Sequence, residues 1–107
     1  MKPFLDLVGA SGAAYRFRLL PDGQAHVPIA GNYVVVRPRG EGVKVVAVAA
    51  TEDLSRAAGE QPAEIRRGAS LYTRLNVARA TREAEHADLA ARYAPAPAES
   101  ATPAGEG

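Results

Sequence analysis

From Ala14 onward, hydrophobic and polar positions follow a period of two. Tyr15, Phe17 and Leu19 alternate with Arg16 and Arg18, the pattern of a half-buried strand with one wet face. Pro21-Asp22-Gly23 ends that run as a turn, and Pro28 in the irregular stretch beyond it argues against a central strand. Two valine-rich runs follow, Val34 to Val36 and Val43 to Val48. Their near-continuous apolar character predicts strands covered on both faces. Pro38-Arg39-Gly40-Glu41-Gly42 joins them, and its glycines can take the positive φ of a short reversal.

At the end of the second valine run Thr51 reads as an N-cap, with Glu52 and Asp53 suited to the positive end of a helix dipole. The helix expected there runs to about Ala58, where Gly59 and Pro62 interrupt it; a short helical turn resumes at Ala63 and stops at Gly68. Leu71 to Val77 alternates again, with Leu71, Leu75 and Val77 on the side expected to face the core. Arg79 to Tyr93 holds neither Gly nor Pro and is rich in alanine, which predicts the longest helix. Ala80, Ala84, Ala87 and Ala91 form a narrow face suited to close packing, with Leu89 and Tyr93 near the opposite side. Arg79 with Glu83 and Asp88 with Arg92 are spaced four apart as exposed pairs.

These elements predict an α+β domain over residues 14–93, a small mixed sheet flanked by helices. Residues 1–13 form an N-terminal arm that either lies on the domain or supplies an extra strand. Residues 94–107, APAPAESATPAGEG, have nothing to bury and are expected to be disordered. No repeat is visible.

Composition narrows the function classes. A chain of 107 residues is one small domain, and much of its 47% hydrophobic content is alanine. The net charge is +1, but the tail carries two acids and no base, so residues 1–93 hold 13 Lys and Arg against 10 Asp and Glu. Arg66, Arg67, Arg74, Arg79 and Arg82 fall in a stretch without an acid. That run either tracks phosphates or is a solvated, arginine-biased surface. The absence of cysteine excludes disulfides, thiol nucleophiles and thiolate metal sites, and suits a reducing cytoplasm. The start MKPFLDLVGASG carries Asp6 inside a short apolar run and does not read as a signal peptide; no stretch is long enough to span a bilayer. Gly40-Glu41-Gly42 lacks the pattern of a phosphate-cradling loop, and His26 and His86 read as isolated surface histidines. No cofactor or metal is specified.

The order Gly31-Asn32-Tyr33, hairpin, second strand, then Thr51-Glu52-Asp53-Leu54 resembles the GIY-YIG nuclease domain. Arg67-Gly68-Ala69 before the third strand and the ending ADLAARYAP are similar to that family as well. The resemblance covers about residues 14–97 and rests on order and spacing more than on identities. It implies a scaffold for phosphodiester hydrolysis, in which tyrosines act around an activated water, an arginine stabilises phosphate charge and a glutamate holds a divalent metal.

Carried over residue by residue, the resemblance loses this chemistry. Tyr33 matches the first tyrosine, with Asn32 in place of the isoleucine. The second tyrosine falls on Ala47, its glycine on Ala49 and the arginine on Ala57, beside Arg56. The metal-binding glutamate falls on His86, beside Glu85, and a following asparagine on Ala98. Alanines move no proton and offer no charge, and neutral imidazole suits Mg²⁺ poorly. A one-residue shift restores Glu85 and Arg56 but no tyrosine. Tyr33 is thus either vestigial or an ordinary strand tyrosine.

The resemblance implies a catalytically dead, GIY-YIG-like binding module that touches nucleic acid through Arg66, Arg67, Arg74, Arg79 and Arg82. The alternative from another class is a protein-interaction module with no nucleic-acid role. A residual metal-dependent nuclease using Tyr33 and Glu85 is the third reading.

Overall fold

β-branched runs and short turns fold into a five-stranded sheet, seen in a computed structural model that describes residues 2–93, Arg66 by its backbone alone. The strands are β1 (Phe4–Val8), β2 (Ala14–Leu20), β3 (Gly31–Arg39), β4 (Gly42–Thr51) and β5 (Ser70–Leu75). Their order is β1-β2-β5-β3-β4, and every neighbouring pair is antiparallel. The sheet is therefore not mixed. β5 enters between β2 and β3 and runs against both, so β2 and β3, which point the same way, never touch. Residues of the N-terminal arm form the edge strand β1, paired with β2 from Phe4↔Arg18 to Val8↔Ala14. The expected tail at 94–107 lies outside the described residues.

The central hairpin forms where the valines and glycines place it. Gly31 to Val36 of β3 are all buried, as a strand covered on both faces requires. Arg39 pairs with Gly42, leaving Gly40 and Glu41 as the turn, with Gly40 at φ +57°. A bulge makes Val36 face Val45 while Val35 faces Ala47, so Val46 is the extra residue. It puts Val45 and Val48, three apart, on one face of β4.

Each face of the sheet has its own apolar cluster. On one side Leu7, Phe17, Val34, Val36, Val45 and Tyr72 pack against Leu89 of the helix Arg79–Tyr93. On the other, Tyr33 and Val35 pack with Leu54 and Ala57, joined by Ile29, Val46, Ala47, Ala49, Ile65 and Leu71. The chain covering this second face is not the helix expected from Thr51. Thr51 is the last residue of β4, and two 3-10 turns follow, Leu54–Arg56 and Ala58–Glu60. Asp53 is the cap, its carboxylate accepting from the Ser55 amide at 2.9 Å. Sheet pairing holds Thr51 extended, and Gly59 and Pro62 leave too little chain for a stable α-helix. A short helix α1 (Ala63–Arg66) follows, and α2 denotes Arg79–Tyr93.

The packing of α2 reverses its expected orientation. Leu89 is fully buried and Tyr93 packs on the core, whereas Ala80, Ala84, Ala87 and Ala91 face solvent. Burying Leu and Tyr removes more apolar area from water than burying four methyl groups. The inward stripe also contains Arg82, Glu85 and His86, which masks its period in the sequence. Leu75 and Val77, expected inside, are 60% and 64% exposed, because β5 has both faces covered only as far as Tyr72 and Thr73.

Candidate functional site

Four positions of the carried-over resemblance, Tyr33, Ala47, Ala49 and Ala57, lie on one face of the sheet. Tyr33 lies opposite Ala49 in the β3–β4 ladder, and Val35 lies opposite Ala47. Ala57, brought in by the first 3-10 turn, completes the same cluster. Tyr33 is buried, and its hydroxyl donates to Glu60 Oε1 at 3.0 Å and accepts from Gln61 Nε2 at 2.9 Å. Gln61 Nε2 also donates to the Ala57 carbonyl at 3.3 Å. Burial first, and then the Glu60 carboxylate, push the phenol up to about 12. At neutral pH this group is a protonated donor. The surrounding positions contribute methyl groups, and Arg56 next to buried Ala57 is exposed to solvent.

Glu85 belongs to the opposite face. Its Oε1 accepts from Arg74 Nε at 2.8 Å and from Asn76 Nδ2 at 2.9 Å. Asn76 Nδ2 also donates to Asn32 Oδ1 at 2.8 Å, and fully buried Asn32 donates through Nδ2 to the Arg82 carbonyl at 3.0 Å. Because successive strand residues point to opposite faces, Asn32 engages α2 while Tyr33 points away from it. Tyr33 and Glu85 are not brought together. Next to Glu85, His86 is half-buried and its Nδ1 has no hydrogen-bond partner, so it is not the isolated surface histidine expected. Among the described residues, no three His, Asp or Glu side chains cluster closely enough to hold a metal ion.

The arginine run divides between inward and exposed positions. Arg82 is 5% exposed, and its Nη1 donates to the carbonyls of Val77 at 2.9 Å and Asn76 at 3.2 Å. It holds the β5–α2 connection and is not a surface residue. Arg74 is committed to Glu85 and stacks over the Tyr15 ring at 5.4 Å. Arg79 is exposed and pairs with Glu83 at 2.9 Å, as its spacing predicts. Arg67 is exposed at the end of α1. Arg82 packs inward from α2 and Arg74 projects from β5 toward α2, both reaching Asn76 or Glu85, while Arg67 and Arg79 are exposed beside the helix termini and the side chain of Arg66 lies outside the described residues.

Three polar anchors had weak signals. Arg37 donates to the carbonyls of Glu64, Ile65 and Arg67, so one guanidinium satisfies the C-terminal end of α1 and fastens it to β3. Asp88, expected to pair with Arg92, instead accepts from the Ser11 amide at 2.8 Å, Ser11 Oγ at 2.7 Å and the Tyr15 hydroxyl at 2.7 Å. These bonds hold its carboxyl below the ordinary carboxylate range, Ser11 contributing most. Asn32 carries the third anchor, and a lone Asn at the head of a valine run is its one visible cue.

A different basic surface lies on the outer face of β1, β2 and β5. Phe4 and Arg18 are directly opposed across β1 and β2, and Arg18 is opposed to Thr73 across β2 and β5. Arg16, beside them, pairs with Asp6 at 2.9 Å and stacks on Phe4 at 5.3 Å. Among the described residues, no helix is long and apolar enough to cross a membrane. No family model matches the chain, no curated protein matches it, and no solved structure matches it.

Proposed function

We propose that this chain is a non-catalytic binding module on a GIY-YIG-like scaffold, and that it contacts nucleic acid through exposed arginines. The observation that carries the non-catalytic part is the cluster around Tyr33. Residues 31–93 run hairpin, helical segment, strand, helix. Tyr33, Ala47, Ala49 and Ala57 meet where the resemblance implies a catalytic centre, yet only one of them has a functional group. That hydroxyl is already satisfied by Glu60 and Gln61, and the carboxylate of Glu85 is on the far face of the sheet. A phosphodiester bond could not meet an activated water, a charge-stabilising guanidinium and a metal-held carboxylate here.

For the nucleic-acid part, the support is the positive balance of residues 1–93 and the exposed arginines at the ends of α1 and α2. The test is anisotropy of labelled DNA with wild type and with the double variant Arg67→Glu, Arg79→Glu. Each lost phosphate contact should lower affinity and reduce the salt slope by about 0.9 on duplex DNA. Unchanged affinity in the double variant would remove these two arginines from the interface.

One observation favours a protein-interaction module instead. Ala80, Ala84, Ala87 and Ala91 form a solvent-facing stripe on α2, a surface on which a partner helix could approach closely. A protein partner retained after nuclease treatment and lost in Ala84→Glu would favour that reading.

A further inference from the structure

The helical segments between residues 54 and 66 cover the β3–β4 half of one sheet face and leave β1, β2 and the Leu75 end of β5 open. On this open half lie Phe4 (46% exposed), Leu75 (60% exposed) and the exposed Arg16 and Arg18. The loop after β2 overhangs it with His26 and Val27. Two adjoining depressions result, about 450 and 390 Å³ in volume, sharing Arg18, His26, Val27 and Thr73. No Asp or Glu lines either of them.

We propose that this open face binds single-stranded nucleic acid, with Phe4 as a base-stacking platform and Arg18 as the principal phosphate contact. The inference rests on the nucleic-acid reading above and moves the main contact from the helix ends to the sheet. Charge selects the occupant: a groove lined by Arg16, Arg18, Arg74 (itself paired with Glu85) and an imidazole, with no carboxylate in its walls, complements a polyanion. Arg16 is paired with Asp6, while Arg18 has no ion-pair partner among the described residues, so Arg18 has donors to offer. His26 Nδ1 lies 2.8 Å from the Val27 carbonyl. A carbonyl only accepts, so Nδ1 carries the hydrogen and Nε2 is left as the ring nitrogen free to meet a ligand.

Apolar exposure selects a single strand over a duplex. Phe4 has one ring face under the Arg16 guanidinium at 5.3 Å, which leaves the other for an unpaired base. Bases inside a duplex are already stacked on one another, whereas an open sheet with an exposed aromatic residue beside guanidinium groups is a surface on which splayed bases stack. Val27 and Leu75, 62% and 60% exposed, give adjoining bases an apolar floor.

The test is anisotropy of a labelled oligothymidylate and of a duplex, titrated with the full chain at two salt concentrations. Phe4→Ser, Arg18→Glu and Arg67→Glu/Arg79→Glu are compared with wild type, each checked for an unchanged melting curve. The expected result is tighter binding of the single strand, weakened about tenfold by Arg18→Glu and at least about fivefold by Phe4→Ser. The salt slope on the single strand should fall by about 0.7 in Arg18→Glu. Lys at position 18, introduced as Arg18→Lys, should restore most of the affinity. Binding that is lost in the helix-end double variant but kept in Arg18→Glu and Phe4→Ser would overturn the inference and leave the nucleic-acid reading standing. Wild type that binds neither probe would overturn both, and a polyglutamate peptide competing equally with the oligonucleotide would assign the face to an acidic protein partner.

Discussion

Replacing Tyr33 with phenylalanine tests whether its hydroxyl is a locked structural donor. At neutral pH the substitution removes one donated bond to Glu60 and one accepted from Gln61. Both partners keep access to water near the surface, so the net cost should be about 1 kcal/mol. High pH reverses the order. The phenol rises from 10.0 to about 12 in the folded protein, so the folded state holds its proton where the unfolded state releases it. Stability from this group is complete below pH 10 and is lost as pH rises toward 12. Two pKa units correspond to about 2.7 kcal/mol, and screening by solvent at a partly accessible group lowers this to about 2 kcal/mol. Wild type should therefore lose its advantage of about 1 kcal/mol and fall about 1 kcal/mol below Tyr33→Phe above pH 12. Tyr15 and Tyr72 are also raised, but they are present in both proteins and cancel in the difference. Urea unfolding of both proteins across the alkaline range is the assay. A stability difference that does not change between neutral pH and pH 12 would refute the locked-donor account.

Other perturbations test the packing. Leu89→Ala removes the fully buried residue through which α2 enters the core and should cost about 3 kcal/mol in urea unfolding. Gly31→Ala would drive a Cβ into the Arg74 carbonyl and the Leu54 side chain, so a loss of at least about 2 kcal/mol is expected, while Gly59→Ala, with open space around it, should stay within about 1 kcal/mol. Asp88→Asn removes a carboxylate whose pKa is lowered by Ser11 and then Tyr15. That stabilisation is present above the ordinary carboxylate pKa and is lost as pH falls through the lowered one, so acid unfolding should shift less steeply in the variant.

Elements whose own residues decide their burial were legible in the sequence. Tyr15, Phe17 and Leu19 of β2 face the core opposite Arg16 and Arg18, as their alternation predicts. The valine runs form the central hairpin, and α2 spans Arg79–Tyr93 as expected from its helix-forming content. Features set by distant partners were not legible. Thr51 has the chemistry of an N-cap, but pairing with Gly31 keeps it in the sheet. The alanine stripe of α2 looks packable, but Leu89 and Tyr93 outweigh it once the sheet is present to receive them.

The candidate site shows the same division. Tyr33, Ala47 and Ala49 share a face through the hairpin register, whereas Ala57 joins them through the 3-10 turn that stands where a helix was expected. Burial of Arg82 could not be read from spacing, because it depends on two carbonyls in the β5–α2 connection that need a donor. Nor could the role of Asn32, whose partners Asn76 and Arg82 are 44 and 50 residues away. The open face of β1, β2 and β5 was hidden for a further reason: Phe4 and Arg18 come together only through the pairing of an arm whose place the sequence left undecided.

The most direct test of the central claim, binding without cleavage, uses one set of samples. Labelled single-stranded and duplex DNA are titrated with the protein in Mg²⁺ at low and near-physiological salt, read by anisotropy, and then run on a denaturing gel. The account predicts binding with a dissociation constant on the order of micromolar that weakens steeply with salt, and DNA that remains intact at saturation. Mg²⁺-dependent cleavage that disappears in Tyr33→Phe, or no binding even at low salt, would contradict it.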